Sequence, residues 1–551
     1  MDKKTHKNLS KFLKSLKQSG VLDWVKKLQK EFSKAEVYLV GGAVRDAILG
    51  VKDNKDYDFV VKSVPMKKLE EFLNKLGWVE ELGKNFGVLK FKPKRFLKNK
   101  DFEPLDIALP RSEFSLKPGG YKDFKVKFNK DLDIEEDLLR RDFTINAIAI
   151  NIATPSPPLV REGELVDPFG GTGDIKKKII RCVDGPEERL SEDYTRILRA
   201  IRLACQLDFE IENRTKKAIK KLAPRLNDKT KDGDFVSPRE VIAKELLKAF
   251  LEDHLKAFDL CDKLGLFKVL VPEILKMKNC PQPENFHSEG DVWQHTRLCL
   301  EKMNSLQFKR FEKKIDKLLE TKKCRADIAL LARTRNKEIK ESANYVNKDK
   351  LELIFGLLFH DLGKPYTIET PQKDGVDRIR FNEHDNVGAD MALRICKRLA
   401  LSAPAGIGID CDNLSWLVRK HMMLIHGHPS EFRSTTIEKY FFSDRFPGKN
   451  LIKLAYLDSL ATIPKSGKLE SDLIKALLKR IKEMKALVKR NQAREMLPPP
   501  LLNGNEIMKI LKIEPGRKVG EIKEKLREKQ LKGEIKNKRE AKRFVRDSYF
   551  F

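Results

Sequence analysis

The spacing of hydrophobic and polar positions changes along the chain, and each spacing predicts a different kind of element. Over residues 1–35, leucine, valine and phenylalanine recur three or four positions apart, which predicts helices with a basic outer face. The run Val37–Val40 is unbroken and rich in β-branched and aromatic residues, so it predicts a buried strand that stops at Gly41. After a segment that begins a helix, Phe59–Val61 predicts a second buried strand.

Between residues 66 and 150 the pattern predicts one helix and several short strands. Met66–Leu76 has helical spacing, whereas Gly87–Phe91, Leu105–Leu109 and Ile145–Ile150 predict strands. Ser112–Asp133 is rich in Lys, Gly and Asp, which predicts a loop or an irregular hairpin. Helical spacing dominates from residue 181 onward, so the fold class is predicted to be α+β and predominantly helical.

Length and charge narrow the possible functions. At 551 residues the chain is long enough for several domains, because a single core rarely grows beyond about 250–300 residues. With 112 Lys and Arg against 82 Asp and Glu, the formal net charge is +30. Such a charge attracts polyanions, and nucleic acid is the first candidate, ahead of a membrane surface.

The sequence predicts neither export nor a membrane span. No window approaches the ~20 uncharged apolar residues that a span requires, and the N-terminal residues lack the apolar core of a signal peptide. The eight cysteines form no CxxC pair, which predicts reduced thiols rather than a disulfide framework or a zinc ribbon. These features together predict a cytoplasmic protein without membrane association.

The first candidate site surrounds a double-glycine turn. Gly41 and Gly42 have no Cβ atoms, so the backbone can approach a ligand, and the following helix would direct N–H groups and Arg45 at an anion. Asp56 and Asp58 alternate on the next predicted strand and would point the same way. Two such carboxylates favour a hard divalent cation such as Mg²⁺, which suits phosphoryl transfer. Either motif alone is more often a plain turn or a solvated strand end, but their combination predicts nucleotidyl transfer.

Polar residues further along can belong to the same site. Asp106, in another predicted strand, either completes a three-carboxylate metal site or is an ordinary edge-strand residue. Arg141 can bind phosphate or ribose oxygens, with Asp142 holding it in place. Asp167 begins a glycine turn and is expected to cap a helix or to connect two domains.

One predicted helix carries four charged residues at helical spacing, namely Asp193, Arg196, Arg199 and Arg202. Residues three apart share a helix face, and a solvated, salt-bridged face is the default interpretation. The functional alternative is that a carboxylate and a guanidinium read a base edge, one as acceptor and the other as donor.

Four segments that contain these residues resemble, in chain order, motifs of the class II nucleotidyltransferases: LVGGAVRDAILG with KDYD, RRDFTINA, DPFGGTGD and EDYTRILRAIR. That family contains tRNA CCA-adding enzymes and bacterial poly(A) polymerases, and the resemblance covers about residues 36–275. It implies a polymerase-β-like head with a mixed sheet and helices, followed by an all-α neck.

The resemblance also implies roles for the residues. Asp56, Asp58 and Asp106 would be catalytic, with Mg²⁺ held by Asp56 and Asp58. The nucleotide would be bound by Gly41, Gly42, Arg45, Arg141, Asp142, Asp193, Arg196, Arg199 and Arg202. Of these, Asp193 and Arg196 would pair with the incoming CTP or ATP in place of a nucleic-acid template. An RNA 3′-hydroxyl would attack the α-phosphate and release pyrophosphate.

A second candidate site contains four of the nine histidines, His295, His360, His384 and His421. Asp361 follows His360 at the end of an apolar predicted helix, where burial would be costly without a metal, and Asp458 would close the set. Imidazole and carboxylate ligands suit Mn, Fe, Co, Ni or Zn. The run HDLGKP and the order of the ligands resemble an HD-domain phosphohydrolase, which implies phosphatase or phosphodiesterase activity. A degenerate HD fold kept for RNA binding is the alternative.

The expected domain organisation comprises an N-terminal helical extension (1–35), a nucleotidyltransferase head (36–180), a helical neck (181–280), an HD domain (281–465) with a basic insertion (309–350), and a basic helical tail (466–551). The leading prediction is addition of CTP- and ATP-derived nucleotides to the 3′ end of tRNA, whose acceptor arm is the expected partner. Complete CCA addition and CC- or A-addition remain open. A bacterial-type poly(A) polymerase and an RNA-binding protein with remnant catalytic sites are the alternatives.

Overall fold

The computed structural model describes residues 3–51, 56–82, 87–99, 102–115, 119–120, 124–153, 163–319, 337–426, 431–443, 445–465, 472–490 and 497–548. The chain divides into two compact units, Met1–Leu270 and Val271–Phe551. A mixed sheet lies in the first unit and the second is mostly helical, so the predicted fold class is confirmed.

The first unit is built around a seven-stranded sheet with the order β3-β4-β5-β2-β1-β8-β9. Strands β2 and β5 are parallel, whereas the other neighbours in this sheet pair antiparallel. The strands of this unit are β1 Glu36–Val40, β2 Asp58–Lys62, β3 Gly77–Leu82, β4 Val88–Pro93, β5 Leu105–Ala108, β6 Arg111–Ser115, β7 Phe124–Phe128, β8 Ala149–Ala153, β9 Leu165–Val166, β10 Ile179–Ile180 and β11 Glu210–Ile211.

Helices cover this sheet and continue beyond it. They are α1 Lys3–Ser19, α2 Asp23–Glu31, α3 Gly42–Leu49, α4 Met66–Leu76, α5 Ile134–Leu139, α6 Gly171–Lys177, α7 Pro186–Glu192, α8 Arg196–Leu207, α9 Asn213–Leu222, α10 Arg239–Glu252, α11 His254–Lys263 and α12 Leu266–Leu270. Apolar residues at helical spacing on α8, including Ile197 and Ile201, are buried, and α8 packs against α10.

Two predictions of local structure need correction. The strand predicted over Ile145–Ile150 begins only at Ala149, because Thr144–Asn146 forms a 3₁₀ turn that buries its side chains. Asp56 lies just before β2 rather than on it. The segment Ser112–Asp133 contains a regular ladder between β6 and β7, so of the two predicted forms the hairpin is present.

The second unit contains helices α13 Val292–Lys302, α14 Leu306–Leu319, α15 Lys337–Phe359, α16 Lys364–Thr367, α17 Pro371–Asp374, α18 His384–Arg398, α19 Cys411–Lys420, α20 Met423–His426, α21 Ser434–Phe441, α22 Gly448–Ala461, α23 Asp472–Arg490, α24 Gly504–Leu511, α25 Arg517–Lys532 and α26 Lys538–Asp547. Two short strands, β12 Ile368–Glu369 and β13 Arg380–Phe381, pair antiparallel, and α17 lies in the connection between these strands.

The beginning of the predicted basic insertion is a packed helix. Phe311 and Ile315 on α14 are buried. Lys453 on α22 is 2.9 Å from both Glu312 Oε1 and Asp316 Oδ1, so ion pairs tie α14 to α22. Residues 320–336 of the insertion lie outside the described part of the chain. The last helices, α24 to α26, bury a hydrophobic cluster of their own around Ile507, Ile522 and Val545.

The prediction that all cysteines are reduced is wrong for one pair. Cys396 on α18 and Cys411 on α19 form a disulfide, with Cα atoms 5.7 Å apart. These residues are 15 positions apart in sequence, and nothing in their spacing marks them as partners. Within the described residues, the helices are all too short or too polar to cross a bilayer.

Candidate functional sites

The double-glycine turn faces an acidic and a basic side chain. Strand β1 ends at Val40 and α3 begins at Gly42, which leaves Gly41 as the turn residue, with φ at 78°. A Cβ atom on Gly41 would lie 2.9 Å from Arg141 Nη1 and 3.4 Å from Asp58 Oδ2. The positive φ favours glycine here, and a Cβ atom would also displace the Arg141 guanidinium.

Three carboxylates, which we call the acidic cluster, are Asp56, Asp58 and Asp106. Asp58 on β2 is paired in register with Asp106 on β5. The Asp106 backbone N–H donates to the carbonyl oxygen of Tyr57, at 3.1 Å, which places Asp106 beside the segment that carries both other acids. Neighbouring strands are about 4.8 Å apart, so in-register side chains on one face lie close together.

The carboxylates of the acidic cluster repel one another. Burial raises the pKa of Asp58, Arg141 opposes this, and with the charges of Asp56 and Asp106 the pKa is about 6. Burial and Asp106 also raise the pKa of Asp56. Lys90 Nζ lies 3.0 Å from Asp106 Oδ1 and offsets part of this repulsion, as Arg141 and Arg199 do at Asp58. Oxygen donors that repel one another in a partly buried place fit a hard divalent cation.

Asn146 holds the two arginines predicted to bind phosphates. Arg45 Nη1 donates to Asn146 Oδ1 at 2.8 Å, and Arg45 Nε donates to Asp46 Oδ1 at 2.8 Å. Arg141 Nη1 donates to the backbone oxygen of Asn146 at 3.4 Å. Sequence analysis did not single out Asn146, although it lies inside the RRDFTINA segment that carries Arg141.

Asp193 and Arg196, the two residues predicted to read the base, lie close together: burial raises the pKa of Asp193, and the charges of Arg196 and Arg199 act to lower it. Asp193 accepts hydrogen bonds from the backbone N–H and hydroxyl of Thr195, at 2.8 and 2.7 Å, and so shapes the turn before α8. Arg196 is buried, and its Nη1 donates to Glu192 Oε2 at 2.6 Å. Arg202 pairs with Glu245 on α10, at 2.6 Å.

Arg199 also lies near Asp58 of the acidic cluster. Its Nε is 2.8 Å from Asp142 Oδ2. Burial works against the charge on Asp142, but Arg199 and Arg196 hold the pKa of this carboxyl below its ordinary value. Arg199 also lowers the pKa of Asp58. Asp142 therefore ties α8 to the segment that follows α5.

Three imidazoles of the second site are held in the same way. Nδ1 of His360, His384 and His421 lies 2.8, 2.7 and 2.6 Å from the backbone carbonyl oxygen three residues earlier. A carbonyl only accepts, so Nδ1 donates, and in the neutral ring Nε2 then carries the lone pair. All three Nε2 atoms lie near Asp361, at 3.3, 3.6 and 3.8 Å from its carboxylate oxygens.

These lone pairs converge on one another. His384 Nε2 and His421 Nε2 are 3.2 Å apart. Burial lowers the pKa of His384, and burial together with the neighbouring imidazoles lowers the pKa of His421 to about 3, so both rings are neutral. Within the described part of the chain, His360 Nε2 has no hydrogen-bond partner although it is fully buried. Converging, unprotonated nitrogens beside a buried carboxylate fit a divalent metal ion.

We call the six predicted residues of this site the histidine cluster: His295, His360, Asp361, His384, His421 and Asp458. His295, on α13, has its Nε2 atom 3.0 Å from Asp458 Oδ1 and its Nδ1 atom 2.8 Å from Glu289 Oε1. The same Glu289 oxygen is 2.7 Å from Nδ1 of His287. A carboxylate on the far nitrogen commonly orients a metal-binding imidazole. Glu289 was missed because it precedes α13 in a loop and belongs to no motif.

All six predicted residues of the histidine cluster lie together in two adjoining groups. His295, His360 and Asp458 form one group with Cys299, and their ligand atoms lie within 4.8 Å of one another. Asp361, His384 and His421 form the other group by the same measure. The rings of His360 and His421, one from each group, have centroids 5.4 Å apart.

Three family models match successive parts of the chain. Residues 37–181 match the poly(A) polymerase head domain, and residues 208–277 match the probable RNA- and SrmB-binding site of polymerase A. Residues 327–455 match the HD domain. His295 precedes the last of these matches.

Curated relatives align over most of their length. The A-adding tRNA nucleotidyltransferase of Deinococcus radiodurans is 30% identical over 417 residues, which are 75% of this chain and 79% of that protein. The multifunctional CCA protein of Shewanella denitrificans is 36% identical over 414 residues, which are 74% of this chain and 78% of that protein.

A solved structure shares the fold at lower identity. The Thermotoga maritima CCA-adding enzyme, complexed with tRNA, has a TM-score of 0.55 with 20% identity, covering 98% of each chain. The family models, the aligned relatives and the quoted motifs agree along the chain. This chain therefore belongs to the family of class II tRNA nucleotidyltransferases and poly(A) polymerases, as a member that carries an HD domain.

Proposed function

We propose that this chain adds CMP and AMP units, from CTP and ATP, to the 3′ end of tRNA. The observation that carries the proposal is the register of Asp58 with Asp106, with the Asp58 carboxylate directed at the Gly41 turn. That arrangement sets acidic ligands beside a backbone that can hold phosphates. The names of the relatives, one an A-adding tRNA nucleotidyltransferase and one a multifunctional CCA protein, support tRNA as the substrate.

In the proposed reaction the acidic cluster holds Mg²⁺ and the turn holds the triphosphate. Mg²⁺, when bound, neutralises phosphate charge and lowers the barrier to displacement at phosphorus. Arg45 and Arg141, both fixed by Asn146, would lie along the phosphates. The RNA 3′-hydroxyl loses its proton to solvent as its oxygen bonds to the α-phosphorus, and pyrophosphate leaves as the bond from the α-phosphorus to the bridging oxygen breaks. Positioning and charge neutralisation are the contribution of the protein.

Base selection is proposed for Asp193 and Arg196, with Arg199 and Arg202 supporting the helix face. An Asp oxygen accepts and an Arg N–H donates, which is what the edges of cytosine and adenine require. Arg196 would exchange its present bonds to Glu192 and to the Arg189 carbonyl for bonds to a base.

The test uses tRNA transcripts that lack one, two or all three of the 3′-terminal nucleotides. Each is incubated with CTP, ATP or both, and the products are separated at single-nucleotide resolution. We expect addition that stops after at most three nucleotides. Addition of A only to transcripts ending in CC would identify an A-adding enzyme, and C-only addition a CC-adding one. A long A-tail would identify a poly(A) polymerase, and no incorporation would indicate remnant sites.

A second activity is proposed for the histidine cluster, namely metal-dependent hydrolysis of phosphate esters. The supporting observation is that three buried imidazoles, each with Nδ1 against a backbone carbonyl, place their Nε2 atoms near Asp361. The ion would be Mn, Fe, Co, Ni or Zn, bound by His295, His360, Asp361, His384, His421 and Asp458. Lys364, whose Nζ is 2.7 Å from Asp361 Oδ2, would attract the phosphate.

The hydrolytic activity is tested with p-nitrophenyl phosphate and bis-p-nitrophenyl phosphate, in the presence of each metal in turn. We expect release of p-nitrophenol that disappears in Asp361→Ala. If the unsubstituted protein hydrolyses these esters no faster than Asp361→Ala with any of the metals, RNA binding remains as the function of this fold.

The division into extension, head, neck, HD domain and basic tail is proposed with the boundaries given above, and the tail would bind the tRNA backbone.

A further inference from the structure

A cysteine lies among the ligands of the histidine cluster. Cys299 and His295 are four residues apart on α13, so they share one face of the helix. Cys299 Sγ is 3.5 Å from His295 Nε2, and both residues are fully buried. A buried cysteine is often only a small apolar residue, but here its neighbours are not apolar.

The surroundings of Cys299 already have the form of a metal site. One ligand atom each from His295, Cys299, His360 and Asp458 lies within 4.8 Å of the other three. The Nδ1 atoms of the two histidines are occupied by Glu289 and by a backbone carbonyl, which directs both Nε2 atoms to the group. The group offers one sulfur, two nitrogen and one oxygen ligand, which is the number of ligands in a four-coordinate zinc site.

The second group of the cluster has a different chemistry. Asp361, His384 and His421 offer one oxygen and two nitrogens, without sulfur. Thiolate ligands favour Zn²⁺ and related borderline metals, whereas the nitrogen and oxygen set accepts a wider range of ions. The two groups therefore differ in the ion that each prefers.

We propose that Cys299 is a direct thiolate ligand in a Cys–His₂–Asp site with His295, His360 and Asp458, and that this site selects Zn²⁺. The inference rests on the proposed metal centre of the HD domain. Binding of the ion releases the thiol proton to solvent and leaves a Zn–S bond, so no oxidant or reductant takes part. The remaining three ligands would form a second, more permissive site beside it.

The experiment uses the full chain loaded with Co²⁺ as a spectroscopic substitute for Zn²⁺. A cobalt–thiolate bond gives a charge-transfer band in the near ultraviolet that nitrogen and oxygen ligands do not give. We expect the band in the unsubstituted protein and its loss in Cys299→Ser. Zinc affinity, measured by competition with a chelator, should fall in this variant by more than the roughly 10- to 100-fold that loss of an outer hydrogen-bond partner costs.

Control variants separate the possible outcomes. Cys261→Ala removes another buried cysteine, from α11 in the first unit, and should leave the band unchanged. Incorporation of nucleotides into tRNA should continue in Cys299→Ser, and an unchanged circular dichroism spectrum shows that the second unit is folded. Cobalt bound without a thiolate band, and lost in His360→Ala, would overturn the cysteine ligand but keep the metal centre. Cobalt binding that is the same in His360→Ala as in the unsubstituted protein would overturn both.

Discussion

At the scale of single residues, Asp58 is a proposed Mg²⁺ ligand whose buried charge lowers the stability of the metal-free fold. It is largely buried beside two other acids, and its pKa is raised to about 6. An acid with a raised pKa binds more protons when folded than when unfolded, between its unfolded value near 4 and about 6. Its contribution to stability therefore becomes less favourable as the pH rises through that window, and the cost is complete at neutral pH.

Asp58→Asn should abolish nucleotide incorporation and yet stabilise the metal-free protein. We expect its free energy of unfolding at pH 7 to rise by about 1–3 kcal/mol, since the repelling charge is absent. The gain should vanish as the pH falls below about 4, where the Asp58 carboxyl is protonated in both states. Urea denaturation in EDTA at a series of pH values measures the difference.

The matched comparison for this variant is Asp361→Ala, which changes a buried acid of the other cluster and should leave incorporation intact. Mg²⁺ should stabilise the unsubstituted protein more than Asp58→Asn. Incorporation that survives Asp58→Asn would show that the Mg²⁺ ligands have been assigned wrongly.

Arg196 is the residue on which base selection should depend most. We expect Arg196→Ala to reduce the preference between CTP and ATP by roughly 10-fold or more, the discrimination provided by one or two hydrogen bonds. Binding of the triphosphate should change much less, because Arg45 and Arg141 remain. Single-turnover incorporation with each nucleotide gives both quantities. Arg214→Ala, an exposed arginine on α9, is the control. Unchanged selectivity in Arg196→Ala would remove the proposed base-reading role.

What the sequence could predict at this scale depended on local motifs. Asp58 and His360 stand in short runs with distinctive neighbours, so their chemistry was visible without coordinates. Asn146 and Glu289 act by holding an arginine or a histidine in place, and that function depends on distances across the fold. Cys299 was likewise hidden, since a cysteine four residues after a histidine is unremarkable until both prove to be buried beside Asp458.

At the scale of elements, helix α6 depends on a single carboxylate. Asp167 Oδ1 accepts the Gly171 N–H at 2.7 Å, and Oδ2 accepts the Thr172 N–H and hydroxyl at 2.9 and 2.6 Å. These bonds satisfy donors at the first turn of α6 that the helix itself leaves unpaired. The expected capping role of Asp167 is thus confirmed.

Asp167→Ala should lower the free energy of unfolding by about 1–2 kcal/mol, the usual cost of a lost N-terminal cap. Lys177→Ala, in the exposed last turn of the same helix, should change stability by less than about 0.5 kcal/mol. Urea denaturation of both variants measures this. Equal stability of the two would mean that water replaces the carboxylate at no cost.

Elements with long apolar runs could be predicted, and those defined by packing could not. Strand β1 and the start of α3 were visible because glycine ends the apolar run. The start of β8 could not be predicted, because Ile145 is as apolar as Ile150 but belongs to a 3₁₀ turn. Helix α14 resembled a charged insertion because its lysines outnumber the few buried residues, and its packing is evident only from the burial of Phe311 and Ile315 and the ion pairs to Lys453.

At the scale of the whole molecule, the excess of 112 basic over 82 acidic residues should govern the binding of tRNA. Binding that neutralises many phosphates releases counterions, so affinity falls steeply with salt. We expect the dissociation constant for tRNA to rise by about 10³-fold between 50 and 200 mM salt.

Filter binding with labelled tRNA at several salt concentrations measures that slope. Binding of CTP alone, which engages few phosphates, is the comparison and should depend on salt much less. A tRNA affinity that changes less than about 10-fold over this range would show that the basic surface is not the binding surface.

The parallel pairing of β2 with β5 has a consequence for synthesis of the protein. Asp58 meets Asp106 only after α4, β3 and β4 have been made and the chain has returned to the sheet. A polypeptide still emerging from the ribosome carries two of the three acids long before it carries the third. The acidic cluster therefore cannot assemble until the ribosome has synthesised the chain at least as far as β5.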